Sequence, residues 1–167
     1  MKHYYGTIII PDYLLERKLS NQAFAIAVAL YNYNEVVEHT HESMFSVYYS
    51  PKHLGRLCRL STDATKKHIK ELYETDIITK IVETKSGGTW FYLKKFEHLA
   101  KNYMIITQRM YDTLEPELLQ AYLTVRYCSK HNISISSLET KPIGLRKLTV
   151  KGYIAPRGDT FTILKGE

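Results

Sequence analysis

The chain has 167 residues, 23 Lys+Arg against 17 Asp+Glu, a formal charge of +6 and 44% hydrophobic residues. That apolar content supports packed cores and excludes disordered, collagen-like and low-complexity chains, and the length fits one domain or two small ones. The longest strongly apolar stretch, Ala23 to Tyr31, is about half of the roughly 20 residues needed to cross a bilayer, and the opening residues run into Pro11-Asp12 without a small-residue cleavage site, so the expectation is a cytoplasmic protein with no membrane partner.

Thr7 to Ile10 is β-rich and stops at Pro11, which cannot donate a ladder hydrogen bond, so a short strand is expected. Ser20 is a good N-cap, and Phe24, Ile26, Val28, Leu30 and Tyr31 form a wide apolar stripe at helical spacing, which predicts a buried first helix. Asn34 to Tyr49 reads as a loop that ends in a candidate edge strand around Met44, Phe45, Val47 and Tyr48.

Ser50 followed by Pro51 is a helix start, with a capping hydroxyl and a residue whose missing N–H is harmless in the first turn. Leu54, Leu57 and Cys58 give that helix an apolar face. Arg59-Leu60-Ser61 makes a short turn, and Ser61 is placed to cap the next helix. There Thr65, Ile69 and Leu72 share one face, whereas Thr62, Asp63, Lys66, Lys67 and Lys70 project from the other. Two short helices with a tight joint form a helix-turn-helix pattern. Ile77 to Val82 and Trp90 to Leu93 flank Lys85-Ser86-Gly87-Gly88 and read as a β-hairpin, in the position of a wing beside a recognition helix. The positive charge is concentrated here: residues 50–72 hold six basic residues against two acidic ones, whereas residues 1–49 hold three against five.

The order IIIPDYLL, then LSNQAFAIAVALYNY, then SPKHLGRLCRLSTDATKKHIKELYETDII resembles the winged helix-turn-helix domains at the front of replication initiators and replisome organisers of phages and low-GC plasmids. The resemblance covers roughly residues 5 to 96 and is most specific from Leu54 through Ile78. Asp76 stands where that family often has Gly at the helix exit, and Asp tolerates such turns. The resemblance implies an α+β fold, with a winged helix-turn-helix DNA-binding domain over residues 1–98.

Residues 99–167 echo the first half in shortened form, as a second, degenerate winged-helix-like domain. Tyr103 to Ile106 repeats the opening strand, and Leu118, Tyr122, Val125 and Tyr127 repeat the first long helix. Leu145 aligns with Ile69, Leu148 with Leu72, Gly152 with Asp76 and Ile154 with Ile78, and Arg157-Gly158-Asp159-Thr160 forms a second hairpin tip. The interval from Ile10 to Leu72 is 62 residues and that from Ile106 to Leu148 is 42, so the repeat has lost its middle loop and second helix. Without a lysine-rich helix, this half is suited to dimerisation or to holding another protein, with Tyr122, Leu123 and Tyr153 either as contacts or, for most of them, simply as core.

A helix with three exposed lysines fits the major groove, where phosphates attract the charges and shorter side chains approach base edges. Thr62, Asp63 and Lys66 are assigned to base contact, Lys67, Lys70 and Lys52 to phosphates, and Lys85 and Ser86 at the wing tip to the minor groove or backbone. A solvated helix face is the plain alternative for the lysines, and hairpin geometry alone explains Gly87 and Gly88. Arg56 and Arg59 are either phosphate contacts or partners within the helix. Trp90 is expected to pack in the core against the third helix, with stacking on a base as the alternative, and His68 to lie at a boundary or phosphate. The fourteen tyrosines show no spaced platform for single-stranded nucleic acid, which needs aromatics on one sheet face.

Enzymatic readings are weaker. His39-Thr40-His41-Glu42 loosely resembles the paired histidines of rolling-circle nucleases but sits in a polar loop, and neither GxxxxGK[ST] nor GxGxxG occurs. Cys58 and Cys128 lie in apolar helical patterns and read as reduced core thiols rather than metal ligands. The expectation is a non-enzymatic, cofactor-free and metal-free protein that binds double-stranded DNA, and the resemblance implies a bacterial mobile element, phage or plasmid, with a role in replication initiation or transcriptional regulation. A homodimer would double its readout, and a replication or host protein is the other candidate partner. The competing class is a winged-helix adaptor that binds protein, including a phage inhibitor of a host or defence protein.

Overall fold

The computed structural model describes residues 6–32, 46–85, 87–95, 102–138 and 143–165. The fold is α+β. The first half contains β1 (Thr7–Pro11), α1 (Tyr13–Glu16), α2 (Asn21–Asn32), β2 (Ser46–Tyr49), α3 (Pro51–Cys58), α4 (Thr62–Glu74), β3 (Ile78–Glu83) and β4 (Thr89–Leu93). The second contains β5 (Tyr103–Thr107), α5 (Gln108–Thr113), α6 (Pro116–His131), a 3-10 turn at Ile135–Ser137, α7 (Leu145–Val150), β6 (Ile154–Arg157) and β7 (Thr160–Ile163). Three small antiparallel sheets, β1-β5, β2-β4-β3 and β6-β7, hold the strands. Among the described residues no helix is long and apolar enough to cross a membrane.

The run Ala-Phe-Ala-Ile-Ala-Val-Ala-Leu explains the position of α2. Every residue from Ala23 to Leu30 is buried, and a helix apolar on all sides must be enclosed. It packs against β1, α3, α4 and α6, so one continuous core runs through both halves. Ser20 caps it as its hydroxyl composition predicts, accepting from Ala23 N–H at 3.2 Å. At the other end, the Asn32 side chain donates to Ile9 O at 2.6 Å and accepts from Ile9 N–H at 2.7 Å, filling the open edge of β1.

The halves meet as structural equivalents. Ile9 faces Ile105 at the centre of the β1–β5 ladder. Asp12 N–H donates to Asn102 O at 3.0 Å, and Gln108 N–H donates to Gly6 O at 2.8 Å, the same bond made reciprocally. The aligned positions behave alike further along: Leu72 and Leu148 are both fully buried, as are Ile78 and Ile154. Ile77 N–H donates to Leu72 O, and Tyr153 N–H to Leu148 O, each at 2.9 Å. Asp76 and Gly152 both have left-handed backbones, with φ of 62° and 69°. The departures are Leu145, only half-buried where Ile69 is buried, and α7, six residues long where α4 has thirteen.

Two expectations about packing change. Leu57 is 40% exposed rather than on the apolar face of α3. The buried stripe there runs through Leu54 and Gly55 toward the half-buried Cys58, because Gly55 lets α4 press against that side. Tyr122 and Leu123 are fully buried core residues, not contacts for a partner. Tyr122 meets Tyr153 edge-on at 6.4 Å and donates to Lys165 O, which roots the second hairpin on α6.

Candidate nucleic-acid interface

The start of α3 follows from its first two residues: Ser50 Oγ accepts from His53 N–H at 3.1 Å, and Pro51 takes the first helical position. The helix ends on Arg59, which adopts φ 57° and ψ 40°, and Leu60 N–H returns to Gly55 O at 2.8 Å. Ser61 then caps α4, accepting from Ala64 N–H at 3.2 Å. The joint closes tightly because Gly55 lacks a side chain. A Cβ there would lie 2.6 Å from Thr65 Oγ1 and 2.8 Å from Leu60 O. Thr65 itself is fully buried and donates its hydroxyl to Ser61 O at 2.8 Å. Gly55 was missed by sequence reasoning, since a single glycine in a short helix carries no distinctive local signal.

Two devices set the rotation of α4 about its axis. One is apolar: Thr65, Ile69 and Leu72 face the core as the four-three spacing predicts. The other is a polar clasp to the start of α2. Glu71 accepts from Ser20 N–H at 2.6 Å and from Ser20 Oγ at 2.7 Å, and His68 Nδ1 lies 3.1 Å from the same carboxylate. Partial burial works to raise the Glu71 pKa, but these donors outweigh it and hold the carboxyl below its usual range. His68 is therefore turned inward to Glu71 and Ser20, away from the solvent face where a phosphate would be met; its partner lies 48 residues upstream.

With that rotation fixed, Asp63, Lys66, Lys67 and Lys70 are exposed and Thr62 is half-exposed. Among the described residues Lys52, Lys66, Lys67 and Lys85 have no ion-pair partner, whereas Lys70 Nζ lies 3.6 Å from Glu74 in an exposed pair one turn on. Thr62 and Asp63 occupy the first turn of α4, where an acid also complements the helix dipole. On α3, Lys52 and Arg56 are one turn apart and share a shallow hollow of about 390 Å³ with Ser50, His53 and Leu57. Arg59 is exposed at the turn. The expected site residues of α3 and α4 thus lie on the solvent side of one two-helix unit.

The hairpin is placed from its base. Tyr13 and Tyr31 hydroxyls touch each other and both donate to Lys94 O, at 2.9 Å and 2.8 Å, pinning the exit of β4 to α1 and α2. Burial pushes both phenols far above their ordinary pKa, so they remain donors. At the tip, Thr84 donates its hydroxyl to Gly88 O at 2.8 Å, and Gly87 takes φ 82°. Lys85 is exposed there, and Ser86 lies outside the described residues. The His39-Thr40-His41-Glu42 motif also lies outside them. Cys58 and Cys128 are free thiols, and burial pushes Cys58 up to about 12, far from a reactive thiolate.

Two expectations for aromatic residues are overturned. Trp90 does not pack against the third helix. Its half-buried ring lies on the outward face of the three-stranded sheet, 5.3 Å from the ring of Tyr48, its cross-strand neighbour. Tyr92, two residues along β4, shares that face and carries Lys80 Nζ 5.4 Å over its ring. Aromatics therefore do share one sheet face, because β2, distant in sequence, supplies the third ring.

In the second half, Lys147 is paired with Glu117 at 3.3 Å, and among the described residues the exposed large apolar side chains are Ile105, Ile143, Val150 and Leu164. No protein-family model matches the chain, and no curated protein is significantly similar to it.

Proposed function

We propose that α3, α4 and the β3–β4 hairpin form a winged helix-turn-helix that binds double-stranded DNA with α4 in the major groove. The observation that carries this reading is the two-sidedness of α4: one face is locked by Thr65, Ile69, Leu72 and the Glu71 clasp, and the other offers Lys66 and Lys67 with no partner among the described residues. Thr62, Asp63 and Lys66 take the base-facing positions. Lys67, Lys70 and Lys52 take phosphates, and the hairpin tip with Lys85 reaches the adjacent minor groove or backbone.

The second half is the degenerate repeat, a support and dimerisation module. Ile143 and Val150 are seven residues apart across α7 and about four-fifths exposed, and they replace the buried Tyr122 and Leu123 as its candidate contacts. Taken with the family resemblance, the role is occupation of a DNA site on a phage or plasmid, for replication initiation or promoter regulation, without catalysis.

The test is selection of bound duplex fragments from the source genome, followed by anisotropy on the enriched sequence across a salt series. Wild-type log affinity should fall with log salt by roughly 0.9 per phosphate contact, and Lys66→Ala/Lys67→Ala should flatten that slope and weaken binding. A salt-independent, substitution-insensitive isotherm would instead favour the protein-binding adaptor. Fragments clustered at an origin or at a promoter would separate the two DNA roles.

A further inference from the structure

The β2-β4-β3 sheet turns one face to the core and the other outward. Thr89, Phe91 and Leu93 of β4 are buried with Val47 and Tyr49 of β2. The alternate positions look out in two cross-strand rows: Tyr48, Trp90 and Val82 in one, Ser46, Tyr92 and Lys80 in the other. None of these six positions is acidic, and one is a cation.

The rings lie in an ordered arrangement. The hydroxyl end of Tyr48 occupies the space a side chain at Gly88 would need, so its ring lies along the sheet. Trp90 leans on Tyr48 at an interplanar angle of 52°. Tyr92 is 37% exposed, with the Lys80 ammonium over its ring. Positions two apart on a strand are about 7 Å apart, close to the length of one nucleotide drawn out of its stack. Aromatic faces at that spacing beside a lysine, with no carboxylate among these six positions, complement unpaired bases and their phosphates. Duplex DNA cannot use them, because its base faces are covered by stacking.

We propose that this outward face binds single-stranded DNA, with bases stacked on Trp90 and Tyr92 and a phosphate held by Lys80. The site is separate from the α4 surface and does not depend on duplex binding there. A protein carrying both surfaces holds a duplex site and captures a strand opened beside it.

Trp90 is the only tryptophan in the chain, so its fluorescence reports this face directly. Titrating the full chain with a twelve-nucleotide oligothymidine should quench Trp90 saturably. Tyr92→Phe should keep the affinity, Tyr92→Leu should lower it about tenfold, and Lys80→Ala should weaken it and reduce the salt slope by about 0.7. Lys66→Ala/Lys67→Ala should leave oligothymidine binding in place, so failure on α4 and failure on the sheet are read separately. Absence of Trp90 quenching overturns the proposal, as does equal affinity of Tyr92→Phe and Tyr92→Leu, because a ring is then not what the strand contacts.

Discussion

Gly55 and Thr65 touch across the joint between α3 and α4, so closely that a Cβ on Gly55 would sit 2.6 Å from the threonine hydroxyl oxygen. The contact sets how near α4 comes to α3, and with it where the exposed lysines point. Gly55→Ala gains about 1 kcal/mol of helix propensity but forces the Thr65 side chain and the Leu60 carbonyl to move. Overpacking of this kind costs about 1–3 kcal/mol, and the Leu60 contact is backbone that cannot rotate away. Gly55→Ala should therefore lower the urea midpoint despite its better propensity. An unchanged or raised midpoint would show that the joint has slack.

The four lysines assigned to DNA on α3 and α4 are not equivalent. Lys67 has no ion-pair partner among the described residues, whereas Lys70 is 3.6 Å from Glu74 with both side chains mostly exposed. An exposed pair one turn apart is worth about 0.3–0.5 kcal/mol, so phosphate must compete with Glu74 for Lys70. Lys67→Ala should cost more duplex affinity than Lys70→Ala, and Glu74→Gln should strengthen binding about twofold. Anisotropy at low salt on one duplex gives the order; reversed losses would place Lys70, not Lys67, on the backbone.

Local pattern carried much of this architecture. The caps at Ser50 and Ser61, the buried Thr65, Ile69 and Leu72, and the exposed lysines all follow from helical periodicity and capping chemistry within about a dozen residues. The repeat was legible because Leu148, Gly152 and Ile154 keep both the spacing and the physical demands of Leu72, Asp76 and Ile78. What escaped depends on distant partners. Tyr48 reaches Trp90 only through strand pairing, and the inward turn of His68 is set by Ser20. Leu57 looks apolar by composition, but the close approach at Gly55 decides which side of α3 is covered.

The two helix exits make the repeat testable as energetics. Gly152 has φ 69° and Asp76 has φ 62°. A side chain in that region costs about 1 kcal/mol relative to Gly, so Gly152→Ala should destabilise by about that amount. At Asp76 the substitution runs the other way: Asp76→Gly removes the strain and loses only a 3.5 Å contact between its mostly exposed carboxylate and the half-buried Lys94. Its thermal midpoint should stay level or rise slightly. A harmless Gly152→Ala would mean that the second exit relaxes to a different backbone.

Glu71 gives the fold an acid limb. Its carboxyl titrates below the ordinary 4.5 because the donors from Ser20 and His68 favour the charged form more than partial burial disfavours it. A carboxylate with a depressed folded pKa contributes stability that is full above its unfolded value and is lost as pH falls through the folded one. The stability difference between wild type and Glu71→Gln should therefore be largest at neutral pH and shrink as pH falls below 4.5. Chemical denaturation at a series of pH values measures it. A difference independent of pH would mean that the Glu71 charge adds nothing beyond the shape of its side chain.

Asp12 ties the beginning of the chain to the end of α6. Its side chain is 7% exposed, and Oδ2 accepts from Lys130 Nζ at 2.7 Å and from His131 Nε2 at 2.8 Å. Lys130 also donates to Tyr103 O at 2.9 Å, so one ammonium joins the ends of β1 and β5. Removing the carboxylate leaves Lys130 over a buried site, but that lysine is about a quarter exposed and can turn to water. The loss should consequently fall below the full penalty of an isolated buried charge, at about 2 kcal/mol for Asp12→Ala. At this chain length that corresponds to roughly 4–8 °C in Tm. A double-mutant cycle with Lys130→Met isolates the pair, and a coupling energy near zero would show that Asp12 acts through His131 alone. Duplex affinity should not change in any of these variants, because Asp12, Lys130 and His131 belong to the contact between the halves and not to the exposed face of α4.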